Sequence, residues 1–508
     1  MSGAIHLRRV LIYTHRWLGI AGCLVFISWF ASGVVMMYAR MPELSASERA
    51  RRMPPVDLST ARISVADAAA GREFERATVA MVGARPVYRL LQGDTSTVVF
   101  ADTGEPLGTI TADRAMDIAR RFAPEHAATI RYDARLDDPD QWTLSGESRR
   151  AIPLHRIALG DSDDSFLYVS ERTGEPVMWT DARTRRWAYA GAVVHWIYFT
   201  PLRRHSKLWA LVIIWSAIAG CVLCVSGLIW GVWRYSIHDR YRLKRQLSHS
   251  PYAGPMKWHH YAGLVFGAAT FTWIFSGLLS MNPWDWSPDA SPSRQQRQAV
   301  AGGPLRVEAV TLEQLRRETR GVRASQLDID QFDGEPFIVS ADAPVRFTRD
   351  ALVDAARRAK PHAAIADVAW LDAYDAYYYD RDGALPLPVV RVRFDDEHRT
   401  SFYVDPRRGD ILRSDVRLTR LNRWFYHGLH SLDFPFLYYR RPLWDFVVIV
   451  LSAGGLVLSA TTISAALHRL RRHARRLRRQ GDRYAIHRGV RSRSLDAGGR
   501  ASGVGGDV

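Results

Sequence analysis

The sequence predicts an α-helical four-span membrane bundle with an internal duplication, carrying two α+β domains on one side of the bilayer. Three observations predict it: four long uncharged apolar blocks, basic residues gathered in the segments on one side of them, and a set of His, Trp and Gly positions recurring at constant offsets. The chain has 508 residues, of which 47% are hydrophobic and 24% charged. These ordinary values exclude wholesale disorder, collagen and coiled coil.

The blocks are Trp17–Ala39, Leu208–Trp233, Trp258–Trp284 and Phe446–Leu467. Each reaches the ~20 residues that a helix rising about 1.5 Å per residue needs to cross ~30 Å of hydrocarbon. The chain then reads in order as span 1 over 8–39, an outer domain over 40–186, and an interfacial helix plus span 2 over 187–234. A cytoplasmic loop over 235–256 and span 3 over 257–284 come next. A second outer domain over 285–420, an interfacial helix plus span 4 over 421–468, and a basic tail over 469–508 complete it. Within these, Trp187–Phe199 and Leu421–Leu432 are apolar but too short to span.

Lys and Arg outnumber Asp and Glu by 69 to 52, a net charge of +17 that raises the question of nucleic acid. Placement answers it. Arg8 and Arg9 precede span 1; Arg234, Arg240, Arg242, Lys244, Arg245 and Lys257 lie between spans 2 and 3; Arg469, Arg471, Arg472, Arg475, Arg476, Arg478 and Arg479 follow span 4. All three segments fall on one face, which the Lys/Arg excess marks as cytoplasmic. Both termini are then cytoplasmic, nucleic acid is not an expected partner, and the tail suits an anionic lipid surface.

The two outer segments read as α+β. Asp102-Thr103-Gly104-Glu105, Arg172-Thr173-Gly174-Glu175 and Arg407-Arg408-Gly409-Asp410 are turns of one type, flanked by strand-like Thr97–Ala101, Ser165–Val169 and Thr400–Val404. Gly at the third position supplies the positive φ such loops require. Thr111–Phe122 and Thr348–Lys360 have helical spacing behind a Thr cap. The three cysteines, Cys23, Cys221 and Cys224, all lie in spans, so no disulfide is expected outside.

The repeat is the most informative feature. An offset of 244 pairs His15 with His259, Trp29 with Trp273, Ser32 with Ser276 and Gly33 with Gly277. An offset of 235 pairs His195 with His430, Phe199 with Phe434, Trp209 with Trp444 and Gly220 with Gly455. Matching Gly and Trp are explained by packing; matching histidines at membrane depth are not, because ionisable groups there are costly and face the bundle interior. Imidazole is the usual axial ligand where haem iron sits between helices. Two symmetric pairs, one per leaflet, suit two bis-histidyl haems. His427 shares a face with His430 and stands as its alternative or its orienting neighbour. His260 points away from His259 and reads as interfacial. Arg16 suits the carboxylates of an inner haem; Arg203, Arg204, Arg440 and Arg441 flank the outer histidines. Trp17, Trp196, Trp258 and Trp424 read as aromatic belt before macrocycle walls. Tyr374–Tyr379 reads as strand surface or docking patch.

On His15-Arg16-Trp17-Leu18-Gly19, Ser32-Gly33, His259…Gly263…Ser276-Gly277 and His427-Gly428-Leu429-His430-Ser431-Leu432-Asp433-Phe434-Pro435, the chain resembles the PepSY-associated transmembrane-helix family, also called iron-regulated membrane proteins. The resemblance covers roughly residues 8–470. It implies PepSY-like periplasmic domains, a bacterial inner-membrane location, and haem ligation at His15, His259, His195 and His430. Some members are haem-containing ferric-siderophore reductases. The implied function is a di-haem b oxidoreductase that takes electrons from a cytoplasmic flavin, flavoprotein or quinol and delivers them to a periplasmic ferric chelate or ferric siderophore. No Gly-rich dinucleotide fingerprint occurs in a strand–turn–helix setting, so no bound nicotinamide is expected. The alternative is a haem-free PepSY membrane protein that binds or restrains a periplasmic protease or envelope partner. A transporter is disfavoured, since no charge lies near the middle of any uncharged block.

Overall fold

The structure, a computed structural model, describes residues 2–93, 95–238, 241–243, 246–320, 323–380 and 383–498. Arg240, Lys244 and Arg245 of the basic loop, and residues 499–508 of the tail, lie outside the described residues. The chain divides into two compact units, residues 1–31, 217–274 and 447–508 in one, and 32–216 and 275–446 in the other.

Among the described residues, four helices are long and apolar enough to cross a membrane: α1 (Ser2–Met36), α2 (Ser206–Arg234), α3 (Pro255–Ser280) and α4 (Leu443–Gly498). A helix satisfies all its interior backbone groups within itself, which is why uncharged apolar runs of this length become helices in lipid. Their large side chains turn outward: Leu24 is 69% exposed, Val265 70% and Phe446 66%. That surface calls for a bilayer rather than water. In the first unit the helices close on small residues, as lipid-embedded packing favours. A Cβ on Gly455 would lie within 2.6 Å of the Phe30 ring, so α4 carries Gly where α1 presents Phe. The helix of span 3 stops at Ser280 rather than 284, because Asn282 turns left-handed (φ 44°) and Pro283 follows.

The second unit carries the sheets. The first long segment supplies β1 (Arg76–Val82), β2 (Arg85–Gln92), β3 (Thr95–Phe100), β4 (Arg131–Leu136), β5 (Leu154–Ala158), β6 (Phe166–Ser170) and β7 (Pro176–Thr180). The second supplies β8 (Gln326–Phe332), β9 (Glu335–Val339), β10 (Ala364–Leu371), β11 (Val389–Asp395), β12 (Ser401–Val404) and β13 (Ile411–Asp415). Two four-stranded sheets have the same sequential order, β4-β5-β6-β7 and β10-β11-β12-β13. Each is covered by a helix starting at the expected cap: Thr111 accepts from Arg114 N and Thr348 from Ala351 N. Ala115, Ile118, Ala119 and Phe122 bury the face of the first, and Leu352, Ala355 and Ala356 that of the second. Gly104, Gly174 and Gly409 all have positive φ, as their turns require.

The third sheet is shared. Its order is β9-β8-β1-β2-β3, with β1 antiparallel to β8 through Ala77–Ile329 to Ala80–Gln326. The reading of two separate outer domains therefore does not describe this sheet, which takes strands from both segments. Its apolar core likewise draws on both, from Val79, Tyr88 and Leu90 to Leu315, Leu327 and Ile329. Arg408, in the β12–β13 turn, reaches Asp328 at 2.7 Å and Asp330 at 2.9 Å on β8, tying the shared sheet to the second four-stranded one.

Candidate functional site: two facing histidine pairs

Each pair of sequence-matched histidines meets within one unit. The ring centres of His15 and His259 are 6.2 Å apart, with planes at 54°. Those of His195 and His430 are 6.1 Å apart, at 71°.

At the first pair, His15 Nδ1–H donates to the Leu223 carbonyl at 3.1 Å, and His259 Nδ1–H to the Leu458 carbonyl at 3.1 Å. A carbonyl only accepts, so each ring carries its proton on Nδ1 and keeps the Nε2 lone pair. The hydroxyls of Thr461 and Thr462 lie 3.2 and 3.3 Å from His259 Nδ1. His15 lies against Gly227, where a Cβ would come within 2.5 Å of its Cε1 atom. Around the pair is a cavity of about 520 Å³. Its walls include Cys23, Phe26, Leu228 and Trp230, and Arg16, Arg469 and Arg472 line it as well. No Asp or Glu is among its lining residues. Burial and the charges of Arg16 and Arg472 hold the Arg469 guanidinium below its ordinary pKa.

His260 is not interfacial. It is buried, its Nε2–H donating to Gly231 O at 2.8 Å while Nδ1 accepts from Ser250 Oγ at 2.8 Å. Trp17 and Trp258 are exposed, 50% and 67%, and neither lines the cavity.

The second pair is built twice over in the same way. Each histidine follows a π-helical turn, Tyr189–Val193 before His195 and Arg423–Gly428 before His430, a local widening that recurs at functional positions. The helices leading in begin at Ala182 and Arg417, somewhat before the 187 and 421 expected. Ser32 Oγ lies 3.2 Å from His195 Nδ1, and Ser276 Oγ 3.1 Å from His430 Nδ1. The next residue on each helix is Gly33 or Gly277, where a Cβ would sit 3.4 Å from His195 Cε1 or 3.5 Å from His430 Cε1. The indole N–H groups of Trp209 and Trp444 donate to Trp196 O and Ser431 O, each at 2.9 Å, tethering the residue after each histidine. The matched Gly and Trp positions that sequence read as packing thus lie beside the imidazoles or tether the residue after them, and the matched serines meet the rings. The His427 ring lies 4.5 Å from that of Tyr426. Arg203 engages Ser206 and the faces of Tyr198 and Trp209, and Arg441 pairs with Asp445.

The tyrosine run clamps the segment bearing His430. Tyr378 is buried and stacks on Tyr403, and Tyr377 meets Trp424. Tyr379 O–H donates to the Asp433 carboxylate at 2.6 Å, while Arg423 donates to the main-chain carbonyls of Asp433 and Ala376 and lies 3.5 Å from the Asp433 carboxylate. Arg423 and Asp433 are 3% and 2% exposed.

Fold and site define a class: a protein with four membrane-crossing helices, α+β sheets in its long segments, and two facing histidine pairs. No family model matches the chain, and no curated protein matches it.

Proposed function

We propose that the chain is an internally duplicated inner-membrane oxidoreductase of the PepSY-associated transmembrane-helix kind. In this reading it holds two haem b groups and carries electrons from a cytoplasmic donor to a periplasmic ferric chelate or siderophore. The separation of the rings carries the reading. An imidazole nitrogen binds a first-row metal at about 2.0–2.1 Å, which sets the ring centres of two imidazoles on opposite sides of one iron roughly 6.2–6.4 Å apart. The first pair, at 6.2 Å, stands at the lower edge of that range, and the second, at 6.1 Å, about 0.1 Å below it.

The rest of the chain fits the group as well. His15 and His259 offer Nε2, with Nδ1 held by main-chain carbonyls, as metal-bound histidines generally are. The cavity of about 520 Å³ falls within the ~300–1,000 Å³ of sites enclosing cofactor-sized ligands. Arg16, Arg469 and Arg472 line the same cavity and suit the two carboxylates of a bound haem. When bound, a haem with both axial positions filled supplies one-electron chemistry and leaves no open position for oxygen. The basic flanks favour a cytoplasmic position for the His15 end of its helix.

The test is purification from haem-replete cells in detergent. Two haems per polypeptide are expected, six-coordinate in both oxidation states and unaltered by carbon monoxide. Folded, colourless protein would overturn the reading and favour partner binding by the outer domains. A point variant refines it: Gly227→Ala should displace His15 and cost one haem. Gly263→Ala, whose nearest Cβ neighbour is Leu458 at 3.6 Å, should retain both.

A further inference from the structure

We propose that Asp140 and Asp375 are positioning residues for the His195–His430 pair, each fixing a loop that grips the chain just beyond one of the two histidines. This deepens the two-haem reading above and rests on it. The offset of 235 that matches the histidines also pairs Asp140 with Asp375, Arg156 with Arg391, Tyr168 with Tyr403 and Ile197 with Leu432. In each half the Arg and the Tyr stand opposite one another on neighbouring strands, Arg156 and Tyr168 on β5 and β6, Arg391 and Tyr403 on β11 and β12.

Both side chains reach the aspartate of the preceding loop. Asp140 accepts from Tyr168 O–H at 2.8 Å and from Arg156 Nη1 at 3.3 Å. Asp375 accepts from Tyr403 O–H at 3.2 Å and from Arg391 Nη1 at 2.9 Å. Each phenol is 1% exposed, and burial beside a carboxylate pushes both above the ordinary tyrosine range, so both stay donors. The other carboxylate oxygen closes the loop on itself. That of Asp140 accepts from the N–H groups of Trp142 and Thr143 at 3.0 and 3.2 Å, and that of Asp375 from those of Tyr377 and Tyr378 at 2.8 and 2.6 Å.

The residue after each aspartate then holds the histidine segment. Gln141 Nε2 donates to Tyr198 O at 2.7 Å, and Gln141 Oε1 accepts from Thr200 Oγ1 at 2.8 Å. Ala376 O accepts from Arg423 Nε at 3.0 Å, and the same guanidinium donates to Asp433 O at 2.8 Å. Tyr198 and Asp433 are themselves matched, each three residues beyond its histidine. The chain needs this hold, because it turns left-handed at Ile197 (φ 52°) and Leu432 (φ 49°), two residues after each ring. Branched side chains avoid that conformation, and it persists only where the surroundings impose it. Releasing the loop lets the turn relax and the imidazole rotate, and axial imidazoles tune the iron they hold.

The experiment is electron paramagnetic resonance of the oxidised holoprotein, in which the signal of each low-spin haem follows the angle between its two imidazole planes. The signal that survives in His15→Ala belongs to the His195–His430 pair. Asp140→Ala and Asp375→Ala should shift and broaden that signal while the other keeps its place. Gln141→Ala, which removes only the grip on Tyr198 and Thr200 and leaves the Asp140 turn intact, should do the same. Leu352→Ala opens a cavity in the core of the second four-stranded sheet without touching either loop, and should leave both signals where they are. Two haems with unmoved signals in the aspartate and glutamine variants, or an equal shift in Leu352→Ala, overturn the proposal alone. A preparation without haem overturns it together with the reading on which it rests.

Discussion

Replacing His15 or His259 by alanine is expected to leave one haem of two and no electron flow across the membrane. On the proposed reading each pair would supply both axial ligands of one haem from different helices or segments, so either substitution alone would remove half of the grip. A single imidazole holding a haem leaves one axial position open, which converts a low-spin spectrum into one that responds to carbon monoxide. The other pair lies in the other unit and keeps its own supports, Ser32, Ser276, Trp209 and Trp444. His195→Ala and His430→Ala should therefore give the complementary loss, and His427→Ala neither. Haem per polypeptide, measured by the pyridine complex, is the readout. Equal haem content in all five proteins would refute the ligand assignment. Reduction of an external ferric chelate should fall to background in each single variant of the four ligands, because a chain of two carriers fails when either is missing.

Asp433→Ala should be the most destabilising change in the second unit. The carboxylate is buried with Arg423 and Tyr379, and its loss leaves the buried Arg423 charge without its carboxylate partner, with only main-chain carbonyls still accepting from it. Removing one partner of such a pair costs on the order of 3–5 kcal/mol. Tyr379→Phe removes one charge-assisted hydrogen bond and should cost about 1.5–3 kcal/mol. The pair is not expected to be worth its own energy: Arg423→Met/Asp433→Leu should recover much of the loss, since well-packed apolar replacements of buried ion pairs are often neutral. Thermal unfolding in detergent of the wild type, Arg423→Met, Asp433→Leu and the double variant, read as a double-mutant cycle, checks this. Haem retention at His430 should fall in step, because the clamp fixes the segment that carries it.

What the sequence revealed follows from what each feature depends on. The spans are legible because lipid demands long uncharged runs, and the Thr111 and Thr348 caps and the Gly104, Gly174 and Gly409 turns because each is decided by a few neighbouring residues. The histidines stood out through repetition, and so did Ser32, Ser276, Trp209 and Trp444, although only as matched positions without a role. Four parts of the site left no such trace. The Leu223 and Leu458 acceptors are main-chain atoms, indifferent to the side chain above them. Gly227 has Thr462 at its matched position, so no repeat marked it. Arg469 and Arg472 looked like lipid-facing tail, because only packing brings them to the cavity. The Tyr377–Trp424 and Tyr379–Asp433 contacts join residues about 50 positions apart, beyond the reach of any local pattern. The shared sheet was hidden for the same reason, its β1–β8 pairing joining strands from different segments.

That last pairing bears on how the protein is made. Until Gln326–Phe332 emerges, β1 offers an unsatisfied row of amides and carbonyls to whatever chain comes near. At about 5–20 residues per second of translation the wait is roughly 12–50 s. A halved gene would leave that row open permanently, so each half made by itself should aggregate on export. Co-production of the two halves should rescue both.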